Sequence, residues 1–222
     1  MKLLRELTNL PSTVCRGALA IGNFDGVHRG HAQIVSRLLA QARAVGGPAV
    51  VFTFDPHPVR LLRPQQAPPP LTWTDRKAEL LTELGVDTTI AYPTDEALLQ
   101  LSPEQFFQSI VCDALQARAL VEGPNFFFGH KRAGNIESLR ALTTAAGIAL
   151  EVVEPVIING ASVSSSRVRQ LIAAGQLDEA NRLLTHPYRI RGMVRHGAAR
   201  GAKIGFPTAN VDAVDTLLPG VG

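Results

Sequence analysis

The sequence is poor in cysteine, lysine and aromatic residues, and it has no long apolar run. Two cysteines in 222 residues, Cys15 and Cys112, exclude a disulfide framework and a thiolate zinc site. Apolar stretches such as Pro48 to Phe54 stop far short of the ~18 residues that a membrane-spanning helix needs. The opening MKLLRELTNLPS carries Arg5 and Glu6 where a secretion signal would have uninterrupted apolar residues. A soluble cytoplasmic protein is the expectation. Neither the GxxxxGK[ST] phosphate loop nor the GxGxxG dinucleotide fingerprint occurs. With 45% hydrophobic and 18% charged residues, the chain can bury a core and is not a disordered polymer. At ~150 residues per domain its length amounts to about one and a half domains.

What is present is arginine: 18 of the 22 basic residues, the lysines being Lys2, Lys77, Lys131 and Lys203. The guanidinium is a planar fork suited to phosphate oxygens. Between Asn181 and Val211 stand Arg182, Arg189, Arg191, Arg195, Arg200 and Lys203, without a single Asp or Glu. Such a stretch fits nucleic acid, a polyphosphate nucleotide, or simply a solvated basic face. Nucleic-acid binding would need aromatics interleaved with the arginines, and only Tyr188 and Phe206 are there.

Strand-length apolar runs alternate with amphipathic helical stretches. Strands are predicted at Gly17 to Ile21, Ala49 to Phe54, Thr88 to Tyr92, Ala119 to Glu122 and Ala149 to Val153. Helices are predicted from Gly30 to Ala44, from a Thr74-Asp75 cap to Leu84, and from Ser102-Pro103-Glu104 onward. Further helices follow at Asn135 to Ala146, Ser164 to Ala174 and Asp178 to Leu184. The proline-rich Pro64 to Pro70 reads as a loop. This alternation predicts an α/β fold with a parallel sheet covered on both faces, and a ligand site beyond the carboxyl ends of its strands. After His186-Pro187 the glycine-rich pattern loses helical period, Tyr188 to Arg195 reads as a strand, and a domain boundary is placed near residues 184 to 187.

The segment Gly22-Asn23-Phe24-Asp25-Gly26-Val27-His28-Arg29-Gly30-His31 joins the first strand to the first helix. Gly22 and Gly26 allow a tight turn and close approach of a ligand. His28 and His31, three apart, share one side of the first helical turn, where free N–H groups and the helix dipole attract an anion. Two imidazole donors there would stabilise charge developing on phosphorus. The same pair could instead start a metal site, although no third ligand lies near, or be ordinary polar loop residues. Ser164-Ser165-Ser166 opens another helix and offers a second anion cradle, with Arg169 in the first turns; plain helix capping is the simpler reading of these serines.

His28-Arg29-Gly30-His31 resembles the HxGH motif of the nucleotidyltransferase superfamily. The longer GNFDGVHRGH is similar to that of the prokaryotic bifunctional riboflavin kinase/FMN adenylyltransferase (FAD synthetase) family. Thr53-Phe54-Asp55-Pro56-His57-Pro58, Gly123 to Asn135 and Val163 to Arg169 resemble further family motifs, in order and spacing. The family's second motif usually has Thr where Ser166 stands. Gly192 to Gly197 and Gly205 to Asn210 resemble the opening of the family's riboflavin kinase β-barrel, Thr208 and Asn210 matching a motif implied in Mg2+ and ATP phosphate binding.

The resemblance implies a Rossmann-like, doubly wound parallel sheet of the nucleotidyltransferase type over residues 1–185. An incomplete β-barrel fragment would follow over 186–222. It implies that ATP and FMN give FAD and pyrophosphate with Mg2+, through in-line attack of the FMN phosphate on the α-phosphate. His28 and His31 would steady the α-phosphate and leaving group, while Ser164, Ser165, Ser166 and Arg169 hold the outer phosphates. Gly22, Asn23, Phe24, Gly26 and Gly30 would lie along the ATP. Asn125 would read its base or ribose, and Lys131 and Arg132 would lie on a mobile loop closing over phosphates. An exposed basic loop is the plainer reading of these last two. Phe54, Pro56, Pro58 and Phe128 are candidate flat walls for a flavin, and His57 joins them through the resemblance alone. Phe126 and Phe127 are candidates for core. No resident metal is expected in the adenylyltransferase domain, and the expected partners are small molecules, with neither nucleic acid nor membrane. The family's kinase glutamate would lie beyond Gly222, so kinase activity is expected to be absent. Flavin or nucleotide binding without turnover, or another HxGH nucleotidyl transfer, are the competing expectations.

Overall fold

The computed structural model describes residues 2–195, 205, 210–212 and 214–221. Its centre is a six-stranded, all-parallel sheet of β1 (Leu3–Leu4), β2 (Ala18–Ile21), β3 (Ala49–Asp55), β4 (Thr88–Pro93), β5 (Ala119–Glu122) and β6 (Ala149–Val152). The spatial order is β1-β4-β3-β2-β5-β6, so the chain winds outward from β2 in one direction and then in the other. The reversal lies between β2 and β5, and the crevice at their carboxyl ends is where such sheets take ligands.

The central strands are apolar throughout because both faces are covered. Leu19, Ile21, Val50, Phe52 and Leu120 point to one side, into a core closed by Phe106, Ile110, Val111 and Leu139. These come from α5 (Pro103–Phe106), its π-helical continuation Phe107–Ala114, and α6 (Ile136–Ala146). Alternate residues face the other side. There Ala18, Ala20, Ala49 and Ala119 present small side chains to Val35, Leu38, Leu80 and Leu81. Those belong to α1 (Arg29–Val45) and α3 (Thr74–Glu83). Alanines on the strands let these helices lie close to the sheet. Two short helices, α2 (Val59–Leu62) and α4 (Glu96–Gln100), follow β3 and β4. The hairpin β7 (Ile157–Ile158) and β8 (Ala161–Ser162) leads into α7 (Ser165–Ala173) and α8 (Leu177–Leu183), whose own core is Val168, Ile172, Ala180 and Leu183.

The predicted elements and the observed ones differ in instructive places. Strand β1 and the β7–β8 hairpin are two-residue pairings, too short for periodicity to announce. A turn of 3-10 helix, Pro64–Gln66, interrupts the predicted proline loop. Thr74 does not cap α3: the cap is Trp73, because the Thr74 hydroxyl donates to Asp55 Oδ2 at 2.8 Å. The strand expected over Tyr188 to Arg195 shrinks to β9 (Met193–Arg195), paired antiparallel with β10 (Asn210–Asp212). Tyr188 is engaged otherwise. Its N–H donates to Asn181 Oδ1 at 2.8 Å and its hydroxyl to the Leu217 carbonyl at 2.6 Å.

The chain beyond α8 is stitched back onto the sheet domain. The Thr185 hydroxyl donates to the Val27 carbonyl at 2.7 Å, and His186 Nε2 lies 3.2 Å from the Gly26 carbonyl. Farther on, Leu217 N donates to Pro70 O and Gly220 N to Ile172 O, both at 3.0 Å. Among the described residues, no helix is long and apolar enough to cross a membrane.

Phe52 is fully buried, edge-on to Phe54 and Phe106 and stacked on Tyr92. Truncation to Ala should therefore cost about 3–5 kcal/mol. A Phe52→Ala variant is expected to show that loss in urea unfolding without a change in secondary structure.

Candidate functional site

The turn from β2 into α1 is built from backbone that few residues tolerate. Gly26 has φ +82°, and a Cβ there would stand 2.7 Å from Leu71 Cδ1. Phe24 (φ +46°) and Val27 (φ +36°) are also left-handed, a strain held in place by their complete burial. At the end of this turn His28 caps α1. Its Nδ1 accepts from His31 N–H, and its own N–H donates to His31 Nδ1, both at 3.3 Å. The two rings stack with centroids 3.6 Å apart. A Cβ on Gly30 would come within 3.1 Å of the His28 ring, so glycine makes room for the stack.

This capping fixes the chemistry of both rings. Each Nδ1 accepts a hydrogen bond from a backbone N–H, which leaves Nε2 as the protonated nitrogen of a neutral imidazole. Burial pushes His28 down to about 4, against a partial upward pull from Asp25. Burial also holds His31 well below its usual range, with His28 and Lys77 pushing the same way. At neutral pH the pair is a set of uncharged donors.

Asp25, between the glycines of the turn, is buried and holds three segments together. Its carboxylate accepts from Leu71 N–H and Thr72 N–H at 3.0 and 3.1 Å and from the Thr72 hydroxyl at 3.2 Å. It also pairs with the Arg169 guanidinium, whose Nε donates to the Pro69 carbonyl at 2.9 Å. The Ser165 hydroxyl donates to the Asp25 carbonyl at 2.8 Å. The first motif, the 69–72 loop and α7 therefore meet at one residue.

The serine cluster divides its work accordingly. Ser164 caps α7 by accepting from Arg167 N–H, Ser165 is tied to Asp25, and Ser166 is exposed. Arg167 reaches the Ile158 and Ala161 carbonyls at 2.9 and 2.8 Å and pins the β7–β8 hairpin. The Arg169 expected on phosphates is committed, in this state, to Asp25.

Phe54, Pro56 and His57 line a cavity of about 320 Å3 together with Trp73, Lys77 and Arg169. Asp25 and Thr72 complete its inner wall, and Arg191 and Asp215 its outer rim. The Arg191 guanidinium pairs with Asp215 and lies 4.7 Å from the centroid of the Trp73 ring. His57 Nδ1 accepts from Val59 N–H at 3.1 Å, and burial lowers its pKa. Two residues expected beside them stand elsewhere. Pro58 precedes α2 and does not line this cavity. Phe128 is buried in the sheet core, stacked on Phe126 and pressed against Gly134, where a Cβ would meet its ring at 2.7 Å.

Asn125 follows β5 and is exposed. Lys131 and Arg132 are exposed too, at φ +53° and +61°. His130 N–H donates to the Leu101 carbonyl at 2.7 Å, and Arg132 lies 4.6 Å from the centroid of the exposed Phe127 ring. Asn23 is left with a buried Oδ1 that has no hydrogen-bond partner in the structure. Asn210 is exposed on β10, and Thr208 lies outside the described residues.

Asp25, Trp73 and Lys77 were missed as site residues. A signal existed for Lys77, whose spacing to Leu80, Leu81 and Leu84 places it on the apolar face of α3. Glu122 was missed as well. It is buried at the end of β5, accepts from Ile21 N–H at 2.7 Å, and is driven well above the usual carboxylate range by burial.

Comparison with known proteins decides the family. The family model described as FAD synthetase matches residues 11–167, and that described as riboflavin kinase matches residues 184–222. The chain belongs to the FAD synthetase family. A bifunctional riboflavin kinase/FMN adenylyltransferase of Pseudomonas fluorescens is 38% identical over 223 residues, spanning 100% of this chain and 71% of the relative. Its counterpart in Escherichia coli (strain K12) is 36% identical over 212 residues, 95% of this chain and 68% of the relative. A crystal structure described as a macrolide-efflux protein from Streptococcus pneumoniae superposes with a TM-score of 0.85 at 28% identity. It covers 99% of this chain and 71% of its own. The fold of this FAD synthetase family member is the doubly wound α/β sheet that the alternation of strands and helices predicts.

Two outcomes follow from this geometry. Arg169→Met leaves a buried carboxylate with amide and hydroxyl partners only, and should destabilise the fold by about 3 kcal/mol in urea titrations. Adding Asp25→Asn to that variant should recover part of the loss. The second outcome concerns acid. Below pH 6.5 the unfolded chain protonates His28 while the native chain does not, until about 4. The contribution is therefore fully present above pH 6.5 and is lost as pH falls toward 4, by up to about 3 kcal/mol. A His28→Asn variant, which retains a capping side chain, should show a shallower acid limb in stability measured against pH.

Proposed function

We propose that the protein is an FMN adenylyltransferase, making FAD and pyrophosphate from FMN and ATP. What carries this reading is the meeting, at Asp25, of a neutral histidine pair, the α7 motif and a cavity walled by Phe54, Pro56 and Trp73. An oxygen of the FMN phosphate attacks the α-phosphorus in line. A new P–O bond joins the two phosphates, the bond to the β-phosphate breaks, and pyrophosphate departs with the electron pair. The attacking group is already anionic, so no general base is needed. Positioning and donation to developing charge supply the rate.

In this scheme the Nε2–H groups of His28 and His31 donate to the α-phosphate and the leaving group. Being neutral, they do so without exchanging a proton. Gly22, Asn23, Phe24, Gly26 and Gly30 form the backbone along the ATP, with Asn125 beside its base or ribose. Ser166, exposed at the start of α7, is free to meet the outer phosphates, and the exposed Lys131 and Arg132 would serve them as well. Ser164 and Ser165 act by fixing that helix against the turn. Arg169 serves the nucleotide from its place on Asp25. Mg2+ fits this reading as the ion carried on the ATP phosphates. Asp25 is already saturated with donors, and among the described residues no group of three or more His, Cys, Asp or Glu is arranged to hold a metal ion. On this reading the ion arrives with the nucleotide, and the chain supplies donors to its phosphates.

We read residues 1–185 as the adenylyltransferase unit and 186–222 as belonging to a riboflavin kinase-like region, where Thr208 and Asn210 would serve Mg2+ and ATP. The partners on this reading are small molecules, and the setting is the cytosol, where ATP and FMN are found.

Incubation with ATP, Mg2+ and FMN, followed by chromatography of the flavins, should yield FAD and stoichiometric pyrophosphate. Folded protein that binds FMN and forms no FAD would overturn the assignment in favour of a flavin-binding protein. His31→Ala removes one donor and one half of the stack, and turnover should fall by at least ~100-fold.

A further inference from the structure

Lys77 is the buried lysine of this cavity, whereas Arg60, another cation of its lining, is exposed. Lys77 projects from the apolar face of α3, is only 7% exposed, and lines the inner wall. Among the described residues its Nζ has one hydrogen-bond partner, the hydroxyl of Thr53 at 3.3 Å, and no carboxylate within ion-pair distance. Thr53 in turn donates to the Asn23 carbonyl at 3.1 Å, so this contact fixes the ammonium behind the first motif.

The carboxylates that line the same cavity are all committed. Asp25 is held by Arg169, Asp55 and Asp75 by Arg5, and Asp215 by Arg191. Burial is costly for an ammonium, and with one hydroxyl partner among the described residues two of its three donors remain for a ligand. Such an arrangement becomes favourable when an anion enters. Position narrows the choice of anion. Lys77 lines the cavity with Phe54, Pro56 and His57, and through Thr53 it is tied to the Asn23 backbone of the histidine turn. It therefore lies between the histidine pair and the apolar walls, where the phosphate of a flavin seated against Phe54 and Pro56 would reach.

We infer that Lys77 binds the phosphomonoester of FMN and is the residue that distinguishes FMN from unphosphorylated riboflavin. This rests on the adenylyltransferase reading and names a residue for its acceptor side. The attacking phosphate carries nearly two negative charges at neutral pH and must approach a triphosphate. A fixed ammonium at its non-bridging oxygens offsets that repulsion and aims the remaining oxygen at the α-phosphorus. A point charge with three rotatable donors suits a terminal phosphate that must keep one oxygen free.

The test is a pair of fluorescence titrations, with FMN and with riboflavin, on the full chain and on Lys77→Met. Methionine keeps the length and apolar stem, so the fold should survive; Lys77→Gln is the second variant. Loss of a charge-assisted phosphate contact should weaken FMN about 10- to 100-fold, while riboflavin changes by less than about twofold. Equal weakening of both flavins would make Lys77 a wall of the cavity and overturn the inference. So would FMN affinity that does not change. Because the titrations contain no ATP, they read phosphate recognition whether or not FAD is formed, and absence of turnover in the parent bears only on the assigned reaction.

Discussion

One buried carboxylate organises this molecule. Asp25 accepts hydrogen bonds from the 71–72 backbone and pairs with Arg169 of α7, while its own carbonyl accepts one from the Ser165 hydroxyl. A charge in such a place is tolerable only when its partners are complete. The 69–72 loop, α7 and the turn after β2 therefore take their positions together. The strained backbone of Phe24 and Val27 and the glycine at 26 are the local costs of that convergence. What results is a histidine pair whose neutrality and tautomers are set by the cap of α1, next to a cavity at the carboxyl end of the sheet.

The sheet explains why this convergence occurs where it does. Strand β2 is the first long strand in the chain and the centre of the order, so the loop after it opens at the reversal of winding. Helix α1 begins there with unsatisfied N–H groups aimed at the crevice. Small residues on one face of the strands bring α1 and α3 close, and α3 in turn carries Lys77 and Trp73 to the cavity. Fold and site are two views of the same packing.

Much of this was readable from the residues. Continuous apolar runs marked the buried parallel strands, and Asn135, Ser164 and Gly46 marked helix ends within a residue of where they occur. The histidine turn announced itself through its glycines and spacing. What escaped were commitments between distant polar groups. Arg169 reads as a free fork until the fold places Asp25, 144 positions away, against it. Thr74 reads as a cap until Asp55 takes its hydroxyl. Phe128 reads as a flat wall for a flavin, but Gly134 opens a slot that admits its ring to the core. Local propensity is short in range, and side-chain hydrogen bonds between far segments carry no period for it to detect.

The stitching beyond α8 bears on how such a protein can be divided. The FAD synthetase family model ends at residue 167, inside α7, yet the carbonyls of Gly26 and Val27 are engaged by His186 and Thr185. The Pro70 carbonyl, on the loop that grips Asp25, is engaged by Leu217. Residues that match the riboflavin kinase model thus brace the histidine turn of the sheet domain. The two regions are not beads on a string. A recombinant piece cut at the sequence boundary would leave the histidine turn without its outer support, and grafting a foreign C-terminal module would alter the first unit's chemistry as well as adding its own.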